Sequence, residues 1–413
     1  MATTFRSVVA LLFSTIIFLM GSGLLTTLIP VRAHLAGFSD FGLGAVGSFY
    51  YVGFVLGCFT GPRLFARAGH SRTFAVAAGL ATTATLLQAL QVTVFSWILT
   101  RGLFGFAAAM LYMTMESWLN DRATNETRGR IFASYMVVNY LGLMLGQWLF
   151  VTGRPSSFSL FSLAAIFYAL CPIPVGLTRT PQPLATKVPR LDPLKIFRLS
   201  PVGVMGCIVV GFANAAVWVF LPVYAQDHGM TRGLLAGLMI AFTLGGALSQ
   251  MPVGRLSDQV DRRYVIAGIT LAAASAGICL YSFGGYSNVL TLILVWFFGF
   301  LSLPLYGLSV AHTNDRLPRE MFVEASATLL LINAVASAFG PVLGALVTTR
   351  FGTSALFLYT AAFHLMMLAF TLVRVAESSP APEALREPFE PMPLQAASPG
   401  VVELDPRAPE SAS

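Results

Sequence analysis

Residues Arg101–Gln147 read RGLFGFAAAMLYMTMESWLNDRATNETRGRIFASYMVVNYLGLMLGQ: an apolar helix, a polar turn and a second apolar helix. Most of its landmarks return once. Phe104-Gly105-Phe106, Leu111-Tyr112, Asn120-Asp121-Arg122, Glu126, Asn139 and Gly146 recur as Phe298-Gly299-Phe300, Leu305-Tyr306, Asn314-Asp315-Arg316, Glu320, Asn333 and Gly340, each 194 positions later. Nearer the start of each copy a second set keeps a spacing of 192: Pro30 and Pro222, Gly37 and Gly229, Leu43 and Leu235, Gly53 and Gly245, Leu64 and Leu256. A length difference of two residues between Leu64 and Phe104 reconciles the spacings. Runs of three consecutive identities at two places in one register are not chance matches of common residues, so the chain is an internal duplication.

Composition sets the medium. Of 413 residues 56% are hydrophobic and only 10% charged, and the mean hydropathy is +0.75. That leaves too little polar surface for a soluble globule and points to a membrane protein. A run of about 20 apolar residues spans the ~30 Å of bilayer hydrocarbon. Twelve such runs occur, near 8–30, 41–62, 73–92, 94–115, 131–153 and 158–178, then 202–224, 234–253, 264–283, 289–311, 323–349 and 353–375. The expected fold is therefore all-α, with twelve transmembrane helices in two parallel six-helix repeats.

Other classes are excluded by what the chain lacks. Cys58, Cys171, Cys207 and Cys279 sit inside apolar runs without metal-ligand spacing, so neither a disulfide framework nor a metal site is expected. The first apolar run is too long for a signal peptide and is taken as the first span. No cationic run carries interleaved aromatics, so the net charge of +7 reflects topology and not affinity for nucleic acid. There is no nucleotide-binding loop, no Ser-His-Asp or HExxH arrangement, and no expected cofactor. An enzyme is not expected.

Basic residues fix an orientation. Arg6, the Arg63–Arg72 turn, Arg122, Arg128, Arg130, the segment from Arg179 to Arg198, Arg255, Arg262, Arg263, Arg316 and Arg319 fall on one side; only Arg32, Arg154, Arg232 and Arg350 fall on the other. By the positive-inside rule both termini are expected in the cytoplasm. The domains are expected as an N-terminal bundle over 1–178, a cytoplasmic linker over 179–200, a C-terminal bundle over 201–375 and a Pro/Glu-rich tail over 376–413. The tail is expected to be disordered. Six spans per copy bring the second copy in with the orientation of the first, an arrangement that supports alternating access.

The fourth span carries the clearest functional face. At 100° per residue Arg101, Gly105, Ala108, Tyr112 and Glu116 lie within about 60° of one another, and the two charges are about 22 Å apart along the axis. A charge facing lipid costs several kcal/mol, so this face is expected to look into the bundle or a wet cavity. The alternative is snorkelling of both charges to the interfaces, with Glu116 paired to Arg128 or Arg130. The second copy reads Val295, Gly299, Ser302, Tyr306 and Val310, keeping glycine and tyrosine and losing both charges. Asn214 and Trp218 offer an amide and an aromatic wall one turn apart. Asn139 and Asn333 offer paired amides, which serve equally well as interhelical glue. The substrate or coupling candidates are thus Arg101, Tyr112, Glu116, Asn139, Asn214, Trp218, Tyr306 and Asn333.

The turn Gly254-Arg255-Leu256-Ser257-Asp258-Gln259-Val260-Asp261-Arg262-Arg263 resembles the signature loop of the major facilitator superfamily, with Asp261 at the family's later glycine. The resemblance implies a cytoplasmic latch made of Gly254, Leu256, Asp258, Arg262 and Arg263. The first-copy turn has Ala66 where the aspartate is expected. Arg101 to Gly105 is similar to the family's Arg-x-x-x-Gly element, which is associated with proton coupling in some members. Glu116-Ser117-Trp118, Arg128-Gly129-Arg130, Tyr135-Met136 and Gly146-Gln147 resemble the YcaD-like bacterial branch. Gly340-Pro341 is similar to the antiporter motif but falls in the eleventh span. The expectation is a secondary transporter moving a small solute by alternating access, with Arg101 and Glu116 motivating proton coupling. The partners expected are that solute, protons and the lipid bilayer, with no nucleic acid. The alternative is a non-transporting membrane scaffold or assembly factor on the same fold.

Overall fold

A computed structural model describes residues 2–124, 126–177, 191–377, 379, 386 and 388–392, with side chains from Ser7 onward. Among these residues all regular structure is helical. Twelve helices are long and apolar enough to cross a membrane: α1 Ser7–Leu35, α2 Asp40–Ala68, α3 His70–Leu90, α4 Val94–Arg122, α5 Arg128–Thr152, α6 Ser159–Gly176, α7 Pro201–Asp227, α8 Arg232–Gln259, α9 Arg262–Phe283, α10 Asn288–Asn314, α11 Arg319–Phe351 and α12 Ala355–Glu377. The count is the one read from the apolar runs. Several helices run further than those runs: α4 continues through Glu116 to Arg122, two turns beyond the apolar window. A helix satisfies its own backbone, so it need not stop where polar side chains begin.

Local chemistry sets the ends. Thr93 caps α4 by accepting from the Ser96 N–H at 3.3 Å, Thr231 caps α8 through the Leu234 N–H at 3.3 Å, and Asp261 caps α9 through the Arg263 N–H at 3.0 Å. Gly37 and Gly229, a repeat pair, both turn the chain after the first helix of their copy at φ 75 and 65°, a conformation that only glycine adopts cheaply. Pro172 and Pro304 mark breaks inside α6 and α10.

The chain forms two compact units: unit 1 is Met1–Phe38 with Phe49–Pro189, and unit 2 is Ser39–Ser48 with Arg190–Leu394. Within unit 1, α1 packs on α5 and α6, and α3 on α4 and α6; within unit 2, α7 packs on α11 and α12, and α9 on α10 and α12. The duplication is visible atom by atom at the closest crossings. Gly53 lies against the Gly102 carbonyl and Gly245 against that of Trp296; Gly105 lies against the Tyr50 carbonyl and Gly299 against that of Phe242; Gly146 lies against Met20 and Gly340 against Phe212. Each glycine and each partner is displaced by the spacing of its own part of the repeat: 194 from Gly102 to Trp296, and 192 from Tyr50 to Phe242 and from Met20 to Phe212. Without a hydrophobic drive between helices in lipid, such bare contacts supply the packing.

Residue 178 and linker residues 179–190 lie outside the described residues. The rest of the linker forms a short helix, Pro193–Leu199, capped by Asp192 and anchored by fully buried Ile196. Over Pro388–Met392 the tail is packed against unit 2. The Phe389 N–H donates to Asp258, and Met392 is 4% exposed within the core of unit 2. Two apolar side chains find a surface to bury, which composition does not reveal. Residues 380–385, 387 and 393–413 of the tail lie outside the described residues.

Candidate functional site

In unit 1 the predicted face of α4 is turned inward. Tyr112 is 2% and Glu116 0% exposed, and Gly105 seats the face on the backbone of α2. Six rings close a circuit around it: Tyr50 to Phe54 at 6.1 Å, Phe54 to Tyr112 at 6.3 Å, Tyr112 to Phe18 at 5.1 Å, Phe18 to Tyr168 at 5.9 Å, Tyr168 to Phe104 at 5.2 Å, and Phe104 back to Tyr50 at 6.1 Å. The Arg101 guanidinium sits over two members, 4.8 Å from the Tyr50 centroid and 5.1 Å from that of Phe104. Ring faces attract a cation but do not neutralise it. Among the described residues no carboxylate pairs with Arg101, and its Nε finds no acceptor.

Glu116 lies two turns inside α4 and its partner is a phenol: the Tyr135 hydroxyl of α5 donates to Oε1 at 2.7 Å. A carboxyl so held accepts the bond whether protonated or ionised. Asn139 lies one turn further along α5, its amide donating to the Tyr135 carbonyl at 2.8 Å. Tyr112, Glu116 and Asn139 are thus gathered with Tyr135, while Arg101 belongs to the aromatic circuit toward the other end. Tyr135, quoted above only as part of a branch resemblance, and Tyr50, Phe18, Phe54 and Tyr168, not singled out by sequence, carry this arrangement. Tyrosine in an apolar run has no spacing that names its partner.

In unit 2, Asn214 is 6% exposed and its Oδ1 has no hydrogen-bond partner among the described residues. Trp218, one turn on, meets Phe242 edge-on at 5.0 Å. Tyr306 is partly buried on α10 and packs against two buried clusters. Asn333 serves as glue, its amide donating to the Cys207 carbonyl at 2.9 Å and so tying α11 to α7.

The signature turn is a connected ionic cluster. Arg262, 3% exposed, donates from Nε to Asp315 Oδ2 at 2.6 Å and from Nη1 to Ser257 Oγ at 2.6 Å, and pairs with Asp258 at 3.1 Å. Asp315 is the second member of a repeated triplet, Asn314-Asp315-Arg316, but its role as the buried partner of Arg262 needs the fold. Arg263 pairs with Asp261 at 2.6 Å and reaches the Arg374 carbonyl at 3.4 Å. Burial alone would raise the Asp261 carboxyl; the hydrogen bonds and charge of Arg263 outweigh it and hold that group below the ordinary carboxylate value. Asp258 also accepts the Phe389 N–H, at 2.9 Å to Oδ1 and 3.1 Å to Oδ2, and the Phe389 ring covers Gly254. Leu256, the remaining motif residue, is 51% exposed.

Comparison with known proteins agrees with this geometry. A model of the Major Facilitator Superfamily matches residues 11–243 and 204–404. The chain is 26% identical over 386 residues, 93% of its own length and 100% of the relative's, to the "Uncharacterized MFS-type transporter YcaD" of Salmonella typhimurium, and equally to that of Salmonella newport. Its fold is similar to that of the nucleoside transporter NupG, with TM-score 0.72 and 14% identity over 91% of this chain and 99% of that one. It is also similar to a D-xylose-proton symporter, with TM-score 0.71 and 14% identity over 94% and 100%. Twelve membrane-length helices in two repeated sets of six, a signature turn locked by its own ion pairs and a family match that runs nearly end to end make this chain a multi-pass membrane transporter that belongs to the major facilitator superfamily.

Proposed function

We propose that this chain is a secondary transporter that moves a small solute across a bacterial inner membrane by alternating access, with both termini in the cytoplasm. The observation that carries the reading is Arg101. A guanidinium within a membrane span, held by ring faces and lacking a carboxylate partner among the described residues, is costly to the fold. It is the kind of group that a solute's own acceptor would use. Glu116, held by Tyr135 on the same helix face, is the proposed proton-exchanging group. Asn214 and Trp218 are the proposed solute contacts of the second copy.

The test is a thermal-shift screen of the purified protein against panels of organic anions, organic cations, sugars and amino acids at two pH values. A ligand that binds only the folded state adds about 2.7 kcal/mol at a hundred times its dissociation constant. The expected result is a saturable shift confined to one panel and lost in Arg101→Gln. In proteoliposomes loaded with that solute, Glu116→Gln is expected to remove the dependence of uptake on a pH gradient. Binding without movement in the liposomes would favour the scaffold alternative.

A further inference from the structure

The end of unit 2 formed by the α8–α9 and α10–α11 turns carries a groove with an occupant. Its floor is made by two glycines. A side chain at Gly254 would collide with the Phe389 ring, and one at Gly307 would meet the same ring at 3.1 Å and Met392 at 3.6 Å. Phe389 joins a cluster that includes Val202, Val253, Leu305 and Leu308; three residues on, Met392 joins one that includes Ile196, Val310 and Phe322. Between these anchors and the ionic cluster, Asp258 takes the Phe389 N–H on both oxygens. Pro388 and Pro391 restrict the backbone on either side of Phe389, which lowers the entropy lost on docking.

The first copy supplies an internal control. By the repeat spacings Gly254, Asp258 and Gly307 correspond to Pro62, Ala66 and Met113. Met113 fills the corresponding space with its own side chain, its sulfur lying against Gly61, and Ala66 offers no acceptor. All three features of the groove are therefore specific to the second copy.

We propose that Gly254, Asp258 and Gly307 form a peptide-docking site whose ligand is the chain's own Pro388–Met392, and that the docked segment is an autoinhibitory plug. Tyr306, a candidate solute residue, packs against both clusters that receive the anchors, and the proposed plug is what covers the approach to it. It also occupies the aspartate that the signature loop would use as a latch. The docking stands on its own; the inhibition rests on the transport reading.

The experiment uses the full chain in nanodiscs and a fluorescein-labelled peptide of residues 384–394. In the wild-type chain the groove is filled by the tethered segment. Phe389→Ala/Met392→Ala empties it, and this variant is expected to bind the free peptide at least about tenfold more tightly than wild type does. Adding Gly307→Leu, which fills the groove, or Asp258→Ala, which removes the acceptor, is expected to reverse the gain. A second arm needs no peptide. With the four native cysteines replaced by alanine, a Tyr306→Cys probe is expected to react several-fold faster with a membrane-impermeant maleimide when Phe389→Ala is present. Equal peptide binding by wild type and the emptied variant overturns the docking. Peptide binding as expected, with an unchanged labelling rate, overturns the plug and leaves the docking site.

Discussion

At the scale of single residues the structure separates groups that hold the protein together from groups that burden it. Tyr135 belongs to the first kind. Tyr135→Phe keeps the ring and removes the donor to buried Glu116, at an expected cost of about 1–3 kcal/mol. Thermal unfolding checks this, and in Glu116→Gln/Tyr135→Phe the two losses should not add. Arg262 is stricter. Arg262→Ala removes the guanidinium paired with buried Asp315 and is expected to cost about 3–5 kcal/mol, whereas Arg262→Met/Asp315→Leu is expected to recover most of it. Asp261 gives the pH dependence. Its folded-state pKa lies below its unfolded value, so its contribution is present above the unfolded pKa and is lost as pH falls through the folded one. Melting temperature should therefore drop on acidification below about pH 4, and drop less in Asp261→Asn. Little of this was legible beforehand. Arg101, Glu116 and the signature turn stand out because charge in an apolar run is rare, but Tyr135 and Asp315 become partners only through the rotation of one helix against another.

At the scale of elements the sequence says more, because the duplication carries geometry as well as residues. Glycines that recur at 192 and 194 positions mark the helix crossings where one backbone meets another. A methyl group added there has no flexible neighbour to displace. Gly53→Ala and Gly245→Ala are expected to destabilise by similar amounts, about 1–3 kcal/mol each, as are Gly105→Ala and Gly299→Ala. Gly129→Ala, with open space around its position in α5, is expected to be neutral or slightly stabilising. Matched melting temperatures within each pair, and not across pairs, would establish that the copies share their packing. The span count was legible for the same reason: hydrocarbon thickness imposes a length that apolar runs must meet. The tail was not. Alternating proline and glutamate give no sign that Phe389 and Met392 have a groove to enter, since that groove is made by side chains that are missing.

At the scale of the whole molecule the two copies have kept one packing plan and divided the chemistry. Unit 1 holds Arg101, with no carboxylate partner among the described residues, and buried Glu116; unit 2 holds the signature turn with its aspartate and the docked segment. The repeat itself suggests how to test this division, by giving one copy the residue of the other. Arg101→Val installs what the second copy has at Val295. It removes a desolvated charge without leaving a carboxylate behind, so melting temperature is expected to hold or rise, while the solute-dependent shift disappears. Asp258→Ala installs the first copy's Ala66. It strips an acceptor from Arg262 and the Phe389 N–H, so melting temperature is expected to fall by a few degrees while solute binding persists. Opposite signs on stability and on binding are what a divided molecule requires. If Arg101→Val instead unfolds the protein and Asp258→Ala abolishes solute binding, the arginine is scaffold and the division of labour is wrong.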